Sequence, residues 1–273
     1  MERTARELLA REGITECGLL PMDEVRVLRP ELFARDGGFA PQSVLVFLMP
    51  YYTGPAENLS LYAVSRDYHR YARRLGEQLL SSLSERFPGA GFRIFADHSP
   101  IDERHAAARA GLGLLGDHGL LIHPTFGSLV FIGALFSDLP APKEACLHEI
   151  RTCSHCGACR RACPTGALEG KGDCLSELTQ RKGELAPETV RLMRAHRTVW
   201  GCDLCQLACP HTRRAIAEGH TTPIRFFHEA RIPHLTSDLL AAMPREEFES
   251  RAFSWRGRKT VERNLLAYEG LEE

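Results

Sequence analysis

The chain has 273 residues, 44% of them hydrophobic, and 34 Lys+Arg stand against 35 Asp+Glu for a formal net charge of -1. That apolar content can bury a real core, in one large domain or two modest ones. The balanced charge excludes bulk attraction to nucleic acid or to an anionic membrane, so any nucleic-acid site must be a local patch. No apolar run is long enough to span a bilayer and the N-terminus has no apolar leader core, so a cytoplasmic protein without a membrane partner is expected.

Residues 1–13 read as an amphipathic helix. Strand-like apolar runs at 43–49 and 92–96 then alternate with a helical stretch at 66–86, which implies an α/β domain. Short apolar runs at 120–122 and 129–136 follow a glycine-rich segment and complete its sheet. The domain closes near Pro140-Ala141-Pro142, giving boundaries of 1–145. Residues 146–220 form a cysteine-rich unit with helical periodicity over 175–199, interrupted by Gly183 and Pro187. Residues 221–273 supply helical runs at 237–243 and 260–268, a tail that packs back on the rest rather than a separate domain.

Eight of the ten cysteines fall between Cys153 and Cys209, a crowding that points to metal. Cys153, Cys156, Cys159 and Cys163, followed by Pro164, form the C-x2-C-x2-C-x3-C-P run of bacterial ferredoxins, in which the fourth cysteine ligates the other cluster. Cys202, Cys205 and Cys209, followed by Pro210, repeat the second half of that run, and Cys174 substitutes for the missing leading cysteine. Exchange of the fourth ligand assigns Cys153, Cys156, Cys159 and Cys209 to one 4Fe-4S cluster and Cys163, Cys174, Cys202 and Cys205 to the other. Two structural zinc sites would use the same count of thiolates, but the paired C-x3-C-P endings favour iron-sulfur. Cys17 and Cys146 lie outside the pattern and read as simple buried thiols. Two neighbouring clusters make an electron wire, and a wire needs no α/β domain of this size, so that domain must hold a substrate or a second cofactor.

Gly111, Gly113 and Gly116 match G-x-G-x-x-G literally, but a helix enters the motif and a strand leaves it, the reverse of a dinucleotide site. Either a turn allowing close approach to a large ligand or a plain helix-to-strand connection fits. Asp97 follows the 92–96 strand, where open α/β sheets place ligands; it is a candidate acid, with helix capping near Ile101 as the alternative. Asp67 and His69 read as part of a solvated helix start, and no histidine pair has metal-ligand spacing.

The whole pattern resembles the epoxyqueuosine reductases, which reduce the epoxide of a tRNA wobble nucleoside. The likeness runs through Tyr62-Ala63, Arg66-Asp67-Tyr68-His69, Asp97 with Pro100 and Glu103-Arg104, the Arg109 to Gly116 stretch, Gly127-Ser128 with Gly133, both cysteine runs, and Arg256-Gly257 with Arg263-Asn264-Leu265. It implies a cobalamin-binding-type α/β domain beside a ferredoxin-like double-cluster domain. Gly111, Gly113, Gly116, Gly127 and Ser128 become expected cofactor contacts, and Asp97 the proton donor to the departing oxygen. Electrons would enter singly from a flavodoxin- or ferredoxin-type donor, with tRNA as the implied substrate partner. The chain departs from the family at Asp117, where lysine is usual, at His98, where a small hydroxyl residue is usual, and at His211-Thr212, where Trp-Asn is usual. It ends at Glu273, where the family's helical repeats would begin, the pattern of a short form. Besides an epoxyqueuosine-type reductase, two readings compete: a cobalamin and iron-sulfur reductase of a smaller substrate, and an electron-transfer protein with two clusters.

Overall fold

The structure, a computed structural model, describes residues 1–34, 38–142 and 147–270, so Cys146 lies outside the described residues. The first part runs α1 (Glu2–Arg11), β1 (Cys17–Pro21), α2 (Glu31–Ala34), β2 (Ser43–Pro50), α3 (Tyr68–Arg86), β3 (Phe92–Ala96) and α4 (Glu103–Arg109), followed by the small hairpin β4 (Leu114–Leu115) and β5 (Leu121–Ile122) and by β6 (Val130–Ser137). The main sheet has the order β1-β2-β6-β3.

All eight residues of β2 are buried, because both faces of the sheet are covered. Leu45, Phe47 and Met49 meet Leu9 of α1 and Tyr71, Leu75, Leu79 and Leu83 of α3. Val44, Val46 and Leu48 point the other way, onto the alanine face of α4 and Phe33 of α2. The strand therefore reads as an unbroken apolar run instead of an alternating one. Every pairing in this sheet is antiparallel. Alternating helices and strands gave the mixture of elements but not this direction, which depends on pairings between distant segments. Gly133 of β6 lies where a Cβ would come within 2.3 Å of the Phe47 ring, so glycine is needed for the β2–β6 contact.

Helix α3 shows its causes plainly. Its buried residues recur at four-residue spacing, and Asp67 caps it by accepting a hydrogen bond from the His69 backbone N–H at 3.0 Å.

The cysteine-rich part contains α5 (Ala158–Ala162), α6 (Leu175–Gln180), α7 (Pro187–Ala195), α8 (Leu204–Ala208) and α9 (Pro210–Ala217). Short helices α5 and α8 each lie inside one cysteine run and pack on one another. The tail forms α10 (Arg225–His228), α11 (Ser237–Ala242), α12 (Arg245–Glu249) and α13 (Arg258–Glu269). A third core joins Leu59, Ala63 and Val64 to Val199 and Trp200 and to tail residues such as Leu235, Phe253 and Leu265. The buried Asn264 amide of α13 donates to the Thr179 and Val199 carbonyls, so the tail is also hydrogen-bonded to the cysteine-rich part. Among the described residues, no helix is long and apolar enough to cross a membrane.

Candidate active site and cysteine cradles

Asp97 stands one residue past β3 with a left-handed φ of 69°, a conformation that Asp tolerates better than most residues. It does not cap the next helix. That role falls to Asp102, which accepts from the His105 N–H at 3.2 Å. The loop from Asp97 to Asp102 is held by Arg29, whose Nε donates to the Ser99 carbonyl at 2.9 Å, and by the Leu28 N–H to the Pro100 carbonyl at 2.8 Å. The Asp97 side chain is left free to face a cavity.

That cavity, of about 490 Å³, is lined by Tyr62, Asp67, Tyr68, His69, Asp97, Phe131, Gln180, Ala252 and Trp255. All three chain segments contribute. Gln180 comes from the cysteine-rich part, and Ala252 and Trp255 come from the tail. A second cavity of about 330 Å³ shares Tyr68, Asp97 and Phe131 and adds Leu28, Arg29 and Glu103. The shared floor is the stacked pair Tyr68–Phe131, with centroids 3.8 Å apart and planes 11° apart. Leu28 and Trp255 border it with 58% and 56% of their surface exposed, unusual for large apolar side chains.

Asp67 and His69, which read in the sequence as an exposed helix start, are part of this site. His69 Nδ1 lies 2.8 Å from Asp67 Oδ1, and His69 Nε2 lies 3.6 Å from Asp97 Oδ2. The imidazole thus sits between two carboxylates, and its hydrogen bond to Asp67 together with the interaction with Asp97 pushes its pKa up to about 9. Asp97 is shifted the opposite way, below the usual carboxylate range, chiefly by His69. Nearby Glu103 is buried, and desolvation with the adjacent Asp97 charge pushes its carboxyl up to about 8.

The expected ligand cysteines gather in two places. Cys153, Cys156, Cys159 and Cys209 line one small cavity with Asp117, His118 and His211. Cys202 and Cys205 lie together in a largely desolvated spot, where burial first, and then neighbours that include Asp203 and Cys174, push their thiols up to about 11 and about 12; Cys163 also bears on Cys202. Two thiolates held in so dry a place, with the half-buried Cys163 and the exposed Cys174 beside them, need bound cations to neutralise them, which is the environment an iron-sulfur cubane fits. Asp117, Cys153 and His155 also place ligand atoms within 4.8 Å of one another, with Asp117 Oδ1 2.7 Å from His155 Nδ1. Outside both groups, Cys17 is a buried thiol whose Sγ accepts from Arg6.

None of Gly111, Gly113, Gly116, Gly127 and Ser128 lines the cavities that contain Asp97. Gly113 packs so closely that a Cβ would lie 2.4 Å from the Ile122 carbonyl oxygen, and Gly111 and Gly116 are equally crowded by the rings of His148 and His118. The turn joins α4 to the β4–β5 hairpin, and Leu115 of that hairpin bonds Arg151 and Cys153, delivering the chain into the first cysteine run. Gly127 and Ser128 serve the second run. A Cβ on Gly127 would sit 2.5 Å from Thr212 Cα, and Ser128 bonds both Thr212 and Gln206.

A polar seam that sequence reasoning missed fastens the second run to the α/β part. Buried Asp203 accepts from Ser60 Oγ at 2.7 Å, from the Leu61 N–H at 2.6 Å and from Gln206 Nε2 at 3.0 Å. Gln206 in turn accepts from the Tyr51 hydroxyl and the Ser128 hydroxyl. Tyr62, next along from Leu61, accepts from Trp200 Nε1 and lines the Asp97 cavity, so the second cysteine group and the cavity share a wall. The signal in the sequence is an acid, Asp203, and an amide, Gln206, inside the C-x2-C-x3-C spacing.

Comparison with known proteins agrees with this arrangement. Residues 152–212 match the family described as 4Fe-4S double cluster binding domain, and residues 39–98 match the family described as epoxyqueuosine reductase QueG, DUF1730. The epoxyqueuosine reductase of Aliivibrio fischeri is 38% identical over 162 residues, covering 58% of this chain and 43% of that protein. That of Listeria monocytogenes is 32% identical over 218 residues, covering 73% and 53%. The chain thus spans about half the length of these curated relatives. In three dimensions, the epoxyqueuosine reductase of Streptococcus thermophilus superposes with a TM-score of 0.78 at 20% identity, covering 98% of this chain and 80% of that one. An epoxyqueuosine reductase solved with an epoxyqueuosine-modified tRNA-Tyr stem loop gives 0.78 at 22% identity with the same coverage. With one match over the strand-and-helix segment that ends at His98, another over the paired cysteine runs, and both curated relatives bearing one name, the chain is similar to the epoxyqueuosine reductases in both its α/β and its cysteine-rich parts.

Proposed function

We propose that this protein is an iron-sulfur and cobalamin-dependent reductase that removes the epoxide oxygen of epoxyqueuosine in tRNA. The observation that carries the reading is the cavity itself, in which a proton-bearing cluster around Asp97 opens beside the second cysteine group across the wall formed by residues 60–62. Cys153, Cys156, Cys159 and Cys209 would hold one 4Fe-4S cluster, and Cys163, Cys174, Cys202 and Cys205 the other. Cobalamin would be held at the aromatic floor of Tyr68 and Phe131 and the exposed apolar side chains of Leu28 and Trp255, surfaces on which the face of an amide-fringed macrocycle could pack. When bound, it supplies low-potential electron transfer to the substrate carbon. Asp97 hands a proton to the departing oxygen, and Tyr62, Tyr68 and Phe131 keep water from the reacting centre. The modified stem loop bound by a structural relative supports an anticodon stem loop as the substrate form. A flavodoxin- or ferredoxin-type protein would feed the clusters.

The test is single-turnover reduction of epoxyqueuosine in a tRNA anticodon stem loop by the cluster- and cobalamin-loaded protein, with chemically reduced clusters so that no donor protein is needed. Asp97→Asn should retain both cofactors and lose roughly a hundredfold or more in rate, the usual range for a general acid. No turnover by the fully loaded wild type would overturn the substrate assignment. A near-normal Asn variant would remove Asp97 from the chemistry.

A further inference from the structure

Removal of an epoxide oxygen as water consumes two electrons and two protons, and this sets a requirement on the site. Two clusters can each pass one electron, supplied by a low-potential one-electron donor. One carboxyl at Asp97 can hold only one proton at a time, so Asp97 must be loaded from elsewhere within each turnover.

We propose that His69, clamped between Asp67 and Asp97, is the positioning residue from which Asp97 is reprotonated. The inference rests on the reductase reading above. Its geometric basis is the line Asp67 Oδ1, His69 Nδ1, His69 Nε2, Asp97 Oδ2, with end contacts of 2.8 and 3.6 Å. Asp67 cannot drift, because it caps the 19-residue α3 and its own N–H bonds the Ser250 carbonyl of the tail. With Asp67 fixing Nδ1–H, the imidazole must present Nε2 toward Asp97. The Nε2 proton passes to Asp97 Oδ2, Asp97 passes its proton to the departing oxygen, and the neutral ring recovers a proton from water through its 47% exposed side chain.

The charge states agree. The groups acting on His69 are Asp67 and Asp97, and the ring is charged below about pH 9. Those lowering Asp97 are His69, His98 and Arg29, with Glu103, Tyr62 and Tyr68 also facing it. Asp97 is therefore ionised at rest and is loaded during the reaction, not before it. Glu103 also carries a proton at neutral pH, but it is buried and among the described residues makes no ion pair or hydrogen bond to Asp97, whereas His69 faces both Asp97 and solvent.

Two measurements on the cluster- and cobalamin-loaded protein test this. Diethylpyrocarbonate acylates only neutral imidazole, so the pH dependence of acylation at the His69 peptide, read by mass spectrometry, gives the ring's pKa without any turnover. It should be half-maximal near pH 9, and Asp67→Asn should shift it down by about one unit or more. The single-turnover rate should fall as pH rises through about 9, and Asp67→Asn should move that limb down by the same amount. His69→Gln should abolish the limb and slow the reaction about tenfold or more. Titration of His69 at its ordinary value overturns the proposal even if the protein turns nothing over, an outcome that separately sinks the reductase reading. Turnover whose alkaline limb is unmoved by Asp67→Asn also overturns it and shifts the proton store to Glu103.

Discussion

Truncation of Asp203 probes how the cluster-bearing segment is held to the rest of the fold. In Asp203→Ala, the Ser60 hydroxyl, the Leu61 N–H and the Gln206 amide all lose their acceptor in a buried setting. The hydroxyl can rotate and the Gln206 Oε1 keeps its contacts with Tyr51 and Ser128, but the Leu61 N–H and the Gln206 Nε2 donor both lose their acceptor. An unsatisfied buried donor costs about 1–3 kcal/mol, and the two weakened hydrogen bonds to a charged acceptor add about 1–2 kcal/mol more. Against this, the carboxylate no longer suffers desolvation, which in the native protein raises its pKa above the ordinary range. The balance is a loss of about 2–4 kcal/mol, concentrated where the second cysteine run meets residues 60–62. Asp203→Asn keeps one acceptor oxygen but turns an NH2 toward a donor, so about half that loss is expected. Anaerobic urea denaturation of the reconstituted protein measures the change, and an iron assay should find about four irons in place of about eight in Asp203→Ala. Stability within about 0.5 kcal/mol of wild type with full iron content would refute the view that this seam holds the second run in place.

Cys163→Ala should abolish the electron paramagnetic resonance signal of the cluster held mainly by the second run and spare the other; the opposite loss would break the assignment of fourth ligands. Gly127→Ala places a methyl 2.5 Å from the Thr212 backbone at a φ of 59° and should cost about 2–3 kcal/mol, whereas Gly170→Ala, at a φ of 71° with open space around it, should cost only about 1 kcal/mol by thermal denaturation. The His69 pKa of about 9 lies above its ordinary 6.5, so its contribution to stability is complete below about pH 6.5 and disappears as pH rises through about 9. Because the ring is half exposed, screening reduces that contribution to about 1 kcal/mol, measurable as the narrowing gap between wild type and His69→Gln in urea titrations at about pH 6 and about pH 10.

Much of this protein was legible along the chain because the relevant physics is local. Cysteines two and three residues apart wrap a compact metal site whatever surrounds them, and the apolar runs at β2 and β3 mark strands because an extended chain must bury its side chains on a sheet. Asp97 could be placed at a strand end for the same reason. Strand direction could not be read, since period-two patterning states which face is buried and not which distant strand lies alongside. Nor could the placement of Asp67 and His69, which looks like an ordinary helix start until β3 brings Asp97 within 3.6 Å of the ring. The glycines at 111, 113 and 116 suit either close approach to a ligand or close packing, and only the neighbouring Ile122 carbonyl and the His118 and His148 rings reveal packing. Asp203 and Gln206 gain their importance from burial against residues more than a hundred positions away, and Gln180 and Trp255 reach the Asp97 cavity only because the tail folds back over both other segments. Spacing determines which atoms can meet within a run; desolvation and long-range contact, which only the folded chain supplies, decide which of them share a site and in what charge state.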